Sequence, residues 1–272
     1  MPCAPHLSPA TIKGMPTEEW EALLHQTDVT LSVGALGDVQ IFGGQRLMDA
    51  TRTTHDGDAV ITEIETPLGW LRARRVDTAE RVVALTFDDR PTPEHTDEVL
   101  DVLAAHDARA TFYLTGGESD DDPHGLRAIV AAGHELGNHT WSHRRLAFVS
   151  GATVADEIER TDAVFRAAGY VGPITFRPPG CKRLLTAPLY LASHDRTTVI
   201  WDLEPDSIPE VAADADAIVT YVIERVRPGS IVLLHLMYDS RAPSREALPR
   251  ILERLAAGGY RFVTVSELLA LR

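Results

Sequence analysis

Cysteine is nearly absent: Cys3 and Cys181 are the only two in 272 residues. That excludes a disulfide framework, and neither sits in the CxxC spacing of a structural zinc site. Long apolar runs are also missing. No stretch approaches the roughly 18 consecutive apolar residues that a membrane-spanning helix needs, so no membrane span is expected. The opening MPCAPHLSPATIKGMPTEEW lacks the apolar centre of a secretion signal. As it stands the sequence reads as cytoplasmic, whereas a removed leader would place the protein outside the cell or at the wall. Basic residues are scarce, 26 Lys and Arg against 40 Asp and Glu, giving a formal net charge of −14. Such a balance disfavours nucleic acid and anionic lipid as partners and suits neutral or cationic ligands. The sequence sets no oligomeric state.

What is present is apolar patterning, with 44% hydrophobic residues, enough for a sizeable core. From residue 82 onward, short β-branched or apolar runs alternate with helix-period segments. The runs are VVALTF (82–87), ATFYL (110–114), HELG (134–137), ITF (174–176), TTVIW (197–201), SIVLL (230–234) and RFVTV (261–265). Between them, Leu248, Ile251, Leu252 and Leu255 recur at helical spacing before a stop at Gly258 and Gly259. This alternation predicts a parallel sheet with helices outside it, either an open doubly wound sheet or a (β/α) barrel. Residues 1–80 read differently, as a small β-rich annex with one helix at PTEEWEALLH (16–25) and strands in DVTLSV, DVQIF and DAVITEIETPLGWLRARRV. The expected division is therefore 1–80 and 81–272.

In parallel α/β folds the functional side chains gather just past the carboxyl ends of strands. At those places stand Asp88 and Asp89, His139 and His143, Arg177, and His235. Each has an ordinary explanation alone: paired aspartates cap helices and make turns, and a lone histidine is commonly a core or surface imidazole. HTWSH is more pointed, because two imidazoles four apart on a helical turn can converge on one ion. One carboxylate added to them gives a three-ligand set with a coordination position left open for water. The second aspartate then stays free to move protons. A metal can lower the pKa of bound water from about 15.7 to about 7, a stabilisation on the order of 12 kcal/mol. A positioned general base contributes very roughly 3–5 kcal/mol, so the metal leads and the carboxylate assists. Arg177 would hold the free aspartate, and His235 would protonate a departing amine.

TFDDRP, GHELGNHTWSH, FRPPG and PGSIVLLH, in that order, resemble the signature motifs of the polysaccharide deacetylase family, also called the NodB-homology or carbohydrate esterase 4 family. The resemblance covers about residues 81–272. It implies a distorted (β/α) barrel of seven or eight parallel strands and metal-dependent removal of acetyl groups from N-acetylated sugars, with metal-bound water as nucleophile. By matching position, Asp88 would be the catalytic base and Asp89, His139 and His143 the ligands of a divalent ion. Zinc is the first choice, with cobalt, manganese, nickel and iron as alternatives. Arg177 would orient the base, Pro178 and Pro179 would shape the groove, and the Gly180 N–H would stabilise the oxyanion. Leu233 would line the acetyl pocket and His235 would be the acid. The expected partner is an N-acetylated carbohydrate or a small acylated amine.

Three departures from the family pattern bear on the substrate. Arg90 replaces the usual glycine after the aspartates, either protruding into the groove or folding outward into a salt bridge. Cys181 stands near the place of a groove aromatic, as a space-filling residue or an extra ligand. The usual Asp-Trp pair is replaced within WDLEPDSIP, where Asp206 is the nearest substitute. The same site could also serve another linear or cyclic amide, or an O-acetyl ester, and a non-catalytic carbohydrate-binding relic is the remaining alternative.

Overall fold

The computed structural model describes residues 30–33, 39–42, 54–56, 59–61, 72–73, 75–146, 149–181 and 186–271, with side chains from residue 75 onward except those of Cys181, Thr186 and Leu189. The helix read at 16–25 and any role of the Cys181 thiol lie outside that set. Two compact units are distinguished. The larger comprises Ala73–Arg145, Asp156–Lys182 and Val199–Arg272. In the other, short antiparallel pairs join Thr30–Val33 to Val39–Phe42 and Thr54–Asp56 to Ala59–Ile61.

Along the chain the elements are β1 Val82–Asp89, α1 Thr96–Ala105, β2 Thr111–Leu114, α2 Gly116–Asp121, α3 Pro123–Ala131, β3 Glu135–Asn138, α4 Gly151–Ala167, α5 Thr186–Ser193, β4 Thr198–Val199, α6 Pro209–Ala212, α7 Ala215–Arg225, β5 Ser230–Leu234, α8 Ala242–Ala257, β6 Arg261–Phe262 and α9 Val265–Leu269. Strands β5, β1, β2 and β3 pair in that order, all parallel, and β6 pairs with the start of β1. Single bridges carry the ladder onward, from Asn138 to Phe176 and from Leu203 to Val232. Between these, the Val199 N–H donates to Phe176 O at 2.8 Å. The ladder thus returns to β5, closing a barrel; the runs at 82–87, 110–114, 134–137 and 230–234 supply its full strands, while those at 174–176, 197–201 and 261–265 supply a single bridge or two-residue pieces.

All eight residues of β1 are buried, as expected of a parallel strand covered on both faces. Val83, Leu85 and Phe87 pack outward with Leu103, Leu248 and Leu252 of the helices. Val82 and Ala84 pack inward with Tyr113, Val199 and Ile231. The inner row continues with Thr86 and Asp88, so strand alternation alone delivers Asp88 to the mouth of the barrel. Helix α8 buries Leu248, Ile251, Leu252 and Leu255, each side chain worth about 1.5–3 kcal/mol on burial. It stops before Gly259, whose φ of +78° lies in the left-handed region.

Tyr113 crosses the inner face over Gly137, where a Cβ would stand 2.3 Å from the ring. Gly137→Ala is therefore expected to overpack the barrel and cost about 1–3 kcal/mol, read as a lower urea midpoint with unchanged slope. Wild-type stability in this variant would show that the Tyr113 ring has room to move.

Candidate active site

The mouth is built around one buried ion pair. Arg177 is fully buried and Asp88 3% exposed, and Arg177 Nη1 donates to Asp88 Oδ1 at 2.6 Å. The bridge at Phe176 sets this register: Arg177 N donates to Asn138 O at 2.9 Å, leaving Thr175 and Arg177 on the inner face. Nη1 also donates to Thr86 Oγ1 at 2.9 Å. The guanidinium lies 3.9 Å from the Tyr113 ring and 5.2 Å from that of Trp201. The Tyr113 hydroxyl is bonded to Thr175 Oγ1 at 2.7 Å, and burial pushes its pKa well up. Sequence reasoning missed Tyr113, which lies in no motif, and Thr86, which opens TFDDRP but has no role assigned by it.

Strand alternation would send Asp89 to the opposite face from Asp88. Its φ of +90° turns the chain instead, so both carboxylates stand at the mouth. Asp89 Oδ1 lies 3.4 Å from His143 Nε2 and 3.9 Å from His139 Nε2. Asp88 Oδ2 lies 3.7 Å from His139 Nε2. The two imidazoles are not on a helical turn, as their spacing predicted. They lie in a loop after β3 in which Thr140 and His143 have φ of +69° and +56°. Side-chain acceptors serve that loop: Asn138 Oδ1 takes the Thr140 N–H at 2.9 Å, and Glu157 Oε2 takes those of Trp141 and Ser142, each at 2.9 Å. The positive φ values exclude a right-handed helical turn, and these acceptors satisfy the N–H groups of the loop that replaces it.

The donor set of Asp89, His139 and His143 fits a divalent ion. Their ligand atoms lie within 4.8 Å of one another, and around a tetrahedral ion with bonds of roughly 2.0–2.1 Å donors stand about 3.3 Å apart. His139 is prepared for ligation. Its Nδ1 lies 2.7 Å from the Arg177 carbonyl, which can only accept, so Nδ1 carries the proton and Nε2 presents its lone pair. Burial holds the His139 pKa below the ordinary imidazole value, although Asp88 and Asp89 oppose it.

On the other side stands His235, following β5. Asp206 is 1% exposed and its Oδ1 lies 3.2 Å from His235 Nδ1. Asp206 Oδ2 accepts from the His235 backbone N–H at 2.6 Å and from Ser244 Oγ at 3.2 Å. Burial lowers the His235 pKa, but the hydrogen bond and charge of Asp206, then the charges of Asp88 and Asp89, outweigh it and push the value up to about 9. Glu204 completes a second group with Asp206 and His235, but it is already bonded to Trp201 Nε1 and Ser207 Oγ.

The remaining sequence candidates form the rim. Pro178, Pro179 and Leu233 are buried and Gly180 is exposed, its φ of +59° suiting glycine. Arg90 folds outward: its Nη1 lies 3.2 Å from Glu118 Oε1 and its guanidinium 4.9 Å from the Tyr238 ring.

A family model described as polysaccharide deacetylase matches residues 75–199. A peptidoglycan-N-acetylglucosamine deacetylase of Bacillus cereus is 34% identical over 196 residues, 71% of this chain and 91% of that protein. A chitooligosaccharide deacetylase of Sinorhizobium fredii is 38% identical over 172 residues, 59% of this chain and 74% of the relative. Among solved structures, a peptidoglycan N-acetylglucosamine deacetylase in complex with 4-naphthalen-1-yl-N-oxidanyl-benzamide superposes with a TM-score of 0.67 at 32% identity, covering 72% of this chain and 92% of that one. With four ordered motifs brought to one barrel mouth, and a relative at 34% identity matched over 91% of its length, the chain belongs to the polysaccharide deacetylase family.

Proposed function

We propose that this protein is a metal-dependent hydrolase that removes acetyl groups from N-acetylated amino sugars of the peptidoglycan or chitooligosaccharide type. The observation that carries the reading is the convergence of Asp88, Asp89, His139 and His143 on one mouth, with His235 raised to an acid's pKa beside them. The named activities of the relatives support the choice of bond. A binding relic has no need of this complete set, and its presence argues against that alternative.

A divalent ion held by Asp89, His139 and His143 would supply Lewis acidity, polarising the acyl oxygen and lowering the pKa of a coordinated water. Asp88 acts as the base: Arg177 occupies Oδ1, so Oδ2 is the atom that takes the water's proton. The exposed backbone N–H at Gly180 donates to the oxyanion as the carbonyl carbon becomes tetrahedral. His235 has its Nδ1 engaged by Asp206, so its Nε2 proton goes to the departing nitrogen. Acetic acid and the free amine form, with one proton gained by Asp88 and one lost by His235, and the acid then gives its own proton to the amine, so that acetate and an ammonium leave. Leu233, Pro178 and Pro179 shape the acetyl pocket beneath these groups.

The zinc- or cobalt-loaded protein is expected to release acetate from N-acetylglucosamine oligomers. Asp88→Asn should lower kcat by about 10²–10⁴-fold with metal still bound, and a chelator should abolish turnover reversibly. Acetate release that survives both changes would sink the mechanism.

The acid is tested by NMR titration of the metal-free protein. His235 should titrate near 9, and in Asp206→Asn, where burial acts with less opposition, it should fall to about 6.5 or below. Because only protonated His235 can deliver a proton, the alkaline limb of kcat/KM should move to lower pH in the same variant. A limb that stays in place would remove His235 from the acid's role.

A further inference from the structure

We propose that Glu157, on the inner face of α4, is a positioning residue of the metal centre, fixing the loop that carries His139 and His143. The inference rests on the reading of those histidines and Asp89 as ligands. His143 needs such support. Its side chain is 52% exposed, and its neighbours are Asp89 at 3.4 Å and the His139 ring at 5.1 Å. Its place is therefore set by its backbone, which adopts a left-handed conformation uncommon for residues that carry a side chain.

Glu157 supplies what holds that backbone. The residue is 6% exposed, and both carboxylate oxygens point into the loop. Oε2 accepts the N–H groups of Trp141 and Ser142 at 2.9 Å each, and Oε1 accepts from Ser142 Oγ at 2.7 Å. These are charge-assisted bonds to the two residues immediately before His143. The loop's first half is tied to the same stretch of helix. Asn138 Nδ2 donates to Ile158 O at 2.8 Å and to Asp162 Oδ1 at 2.7 Å, while Asn138 Oδ1 accepts from Thr140 N. Arg160 covers the Trp141 ring at 3.9 Å, and Gly116 and Gly117 donate to the Thr140 and Trp141 carbonyls at 2.9 Å. A Cβ on Gly116 would stand 2.6 Å from Trp141 Cε3. Residues 157–162 of α4 thus template both ends of the loop, and Glu157 is the member nearest His143 in the bonding.

The test is Glu157→Gln in the full chain. An amide can keep these contacts only by donating to Ser142 Oγ in place of accepting from it, and it removes the charge that strengthens the bonds to the Trp141 and Ser142 N–H groups. Zinc affinity, measured by chelator competition, should weaken by about 10–100-fold. The visible bands of the cobalt-loaded protein should change as the His143 ligand loosens, and turnover should recover when excess metal restores occupancy. Wild-type affinity and an unchanged cobalt spectrum in a folded Glu157→Gln would overturn the proposal. If that variant fails to fold, Ser142→Ala decides: it removes one bond at an exposed residue and should weaken zinc binding by roughly 2–10-fold, and unchanged affinity there overturns the proposal too. A wild-type protein that binds neither zinc nor cobalt overturns the metal reading itself, and this inference with it.

Discussion

The site depends on the salt bridge between Asp88 and Arg177, both withdrawn from water. Removing two charges from solvent costs several kcal/mol each, and mutual attraction repays this only with good geometry and satisfied neighbours. Here most of the neighbours are supplied: Thr86 shares Nη1, Nε reaches Val199 O at 3.4 Å, and the Tyr113 and Trp201 rings flank the cation, while the buried Nη2 has no hydrogen-bond partner. Deleting one partner would strand the other, at a cost of about 3–5 kcal/mol. Arg177 also does something its side chain does not show. Its backbone carbonyl receives His139 Nδ1, so one residue orients the proposed base through its guanidinium and a proposed metal ligand through its main chain. The bridge between Asn138 and Phe176, one residue before it, is what makes both possible.

The adjacent aspartates obey a second constraint. Neighbours on a strand point to opposite faces, and only a break in the backbone can bring both to one mouth. The break is at Asp89 itself, with φ of +90°, and left-handed Thr140 and His143 stand opposite it. Such conformations cost of order 1–3 kcal/mol each and persist where the surroundings over-determine them. The Thr115 N–H, which donates to Asp89 O at 2.7 Å, and the Glu157 carboxylate are those surroundings. Conformational strain at this mouth is concentrated on the residues proposed to hold the ion.

Much of this was legible in the sequence because it is local. The apolar runs located the strands, most plainly β5, which is buried along its whole length and covered on both faces. The residues just past them, from Asp88 to His235, follow from the polarity of βα units. The four-residue spacing of His139 and His143 suggested a helical turn and was wrong about the backbone, because Thr140 and His143 take left-handed conformations that no right-handed helix contains, in a loop whose N–H groups Asn138 and Glu157 satisfy. Glu157 itself could not have been singled out. It lies 14 positions beyond His143 on a helix where a glutamate reads as solvated. Tyr113 likewise reads as one more core aromatic, and its place over Gly137 and under Arg177 exists only once β2 and β3 are paired.

The clearest sign of divided labour lies in two imidazoles that share this mouth. His139 is fully enclosed with a carbonyl on Nδ1, and burial keeps it neutral, the form a ligand requires. His235 is half-buried, yet its Nδ1 meets the Asp206 carboxylate, and it is driven the other way, to about 9, the form an acid requires. Desolvation acts on both in the same sense. What separates them is whether the atom behind Nδ1 is a neutral carbonyl or a charged carboxylate. The sequence set that difference by placing Asp206 in the turn before α6, where the His235 N–H and Ser244 also engage it. Groups of one type whose surroundings push their proton affinities apart mark where acid and ligand functions have been assigned.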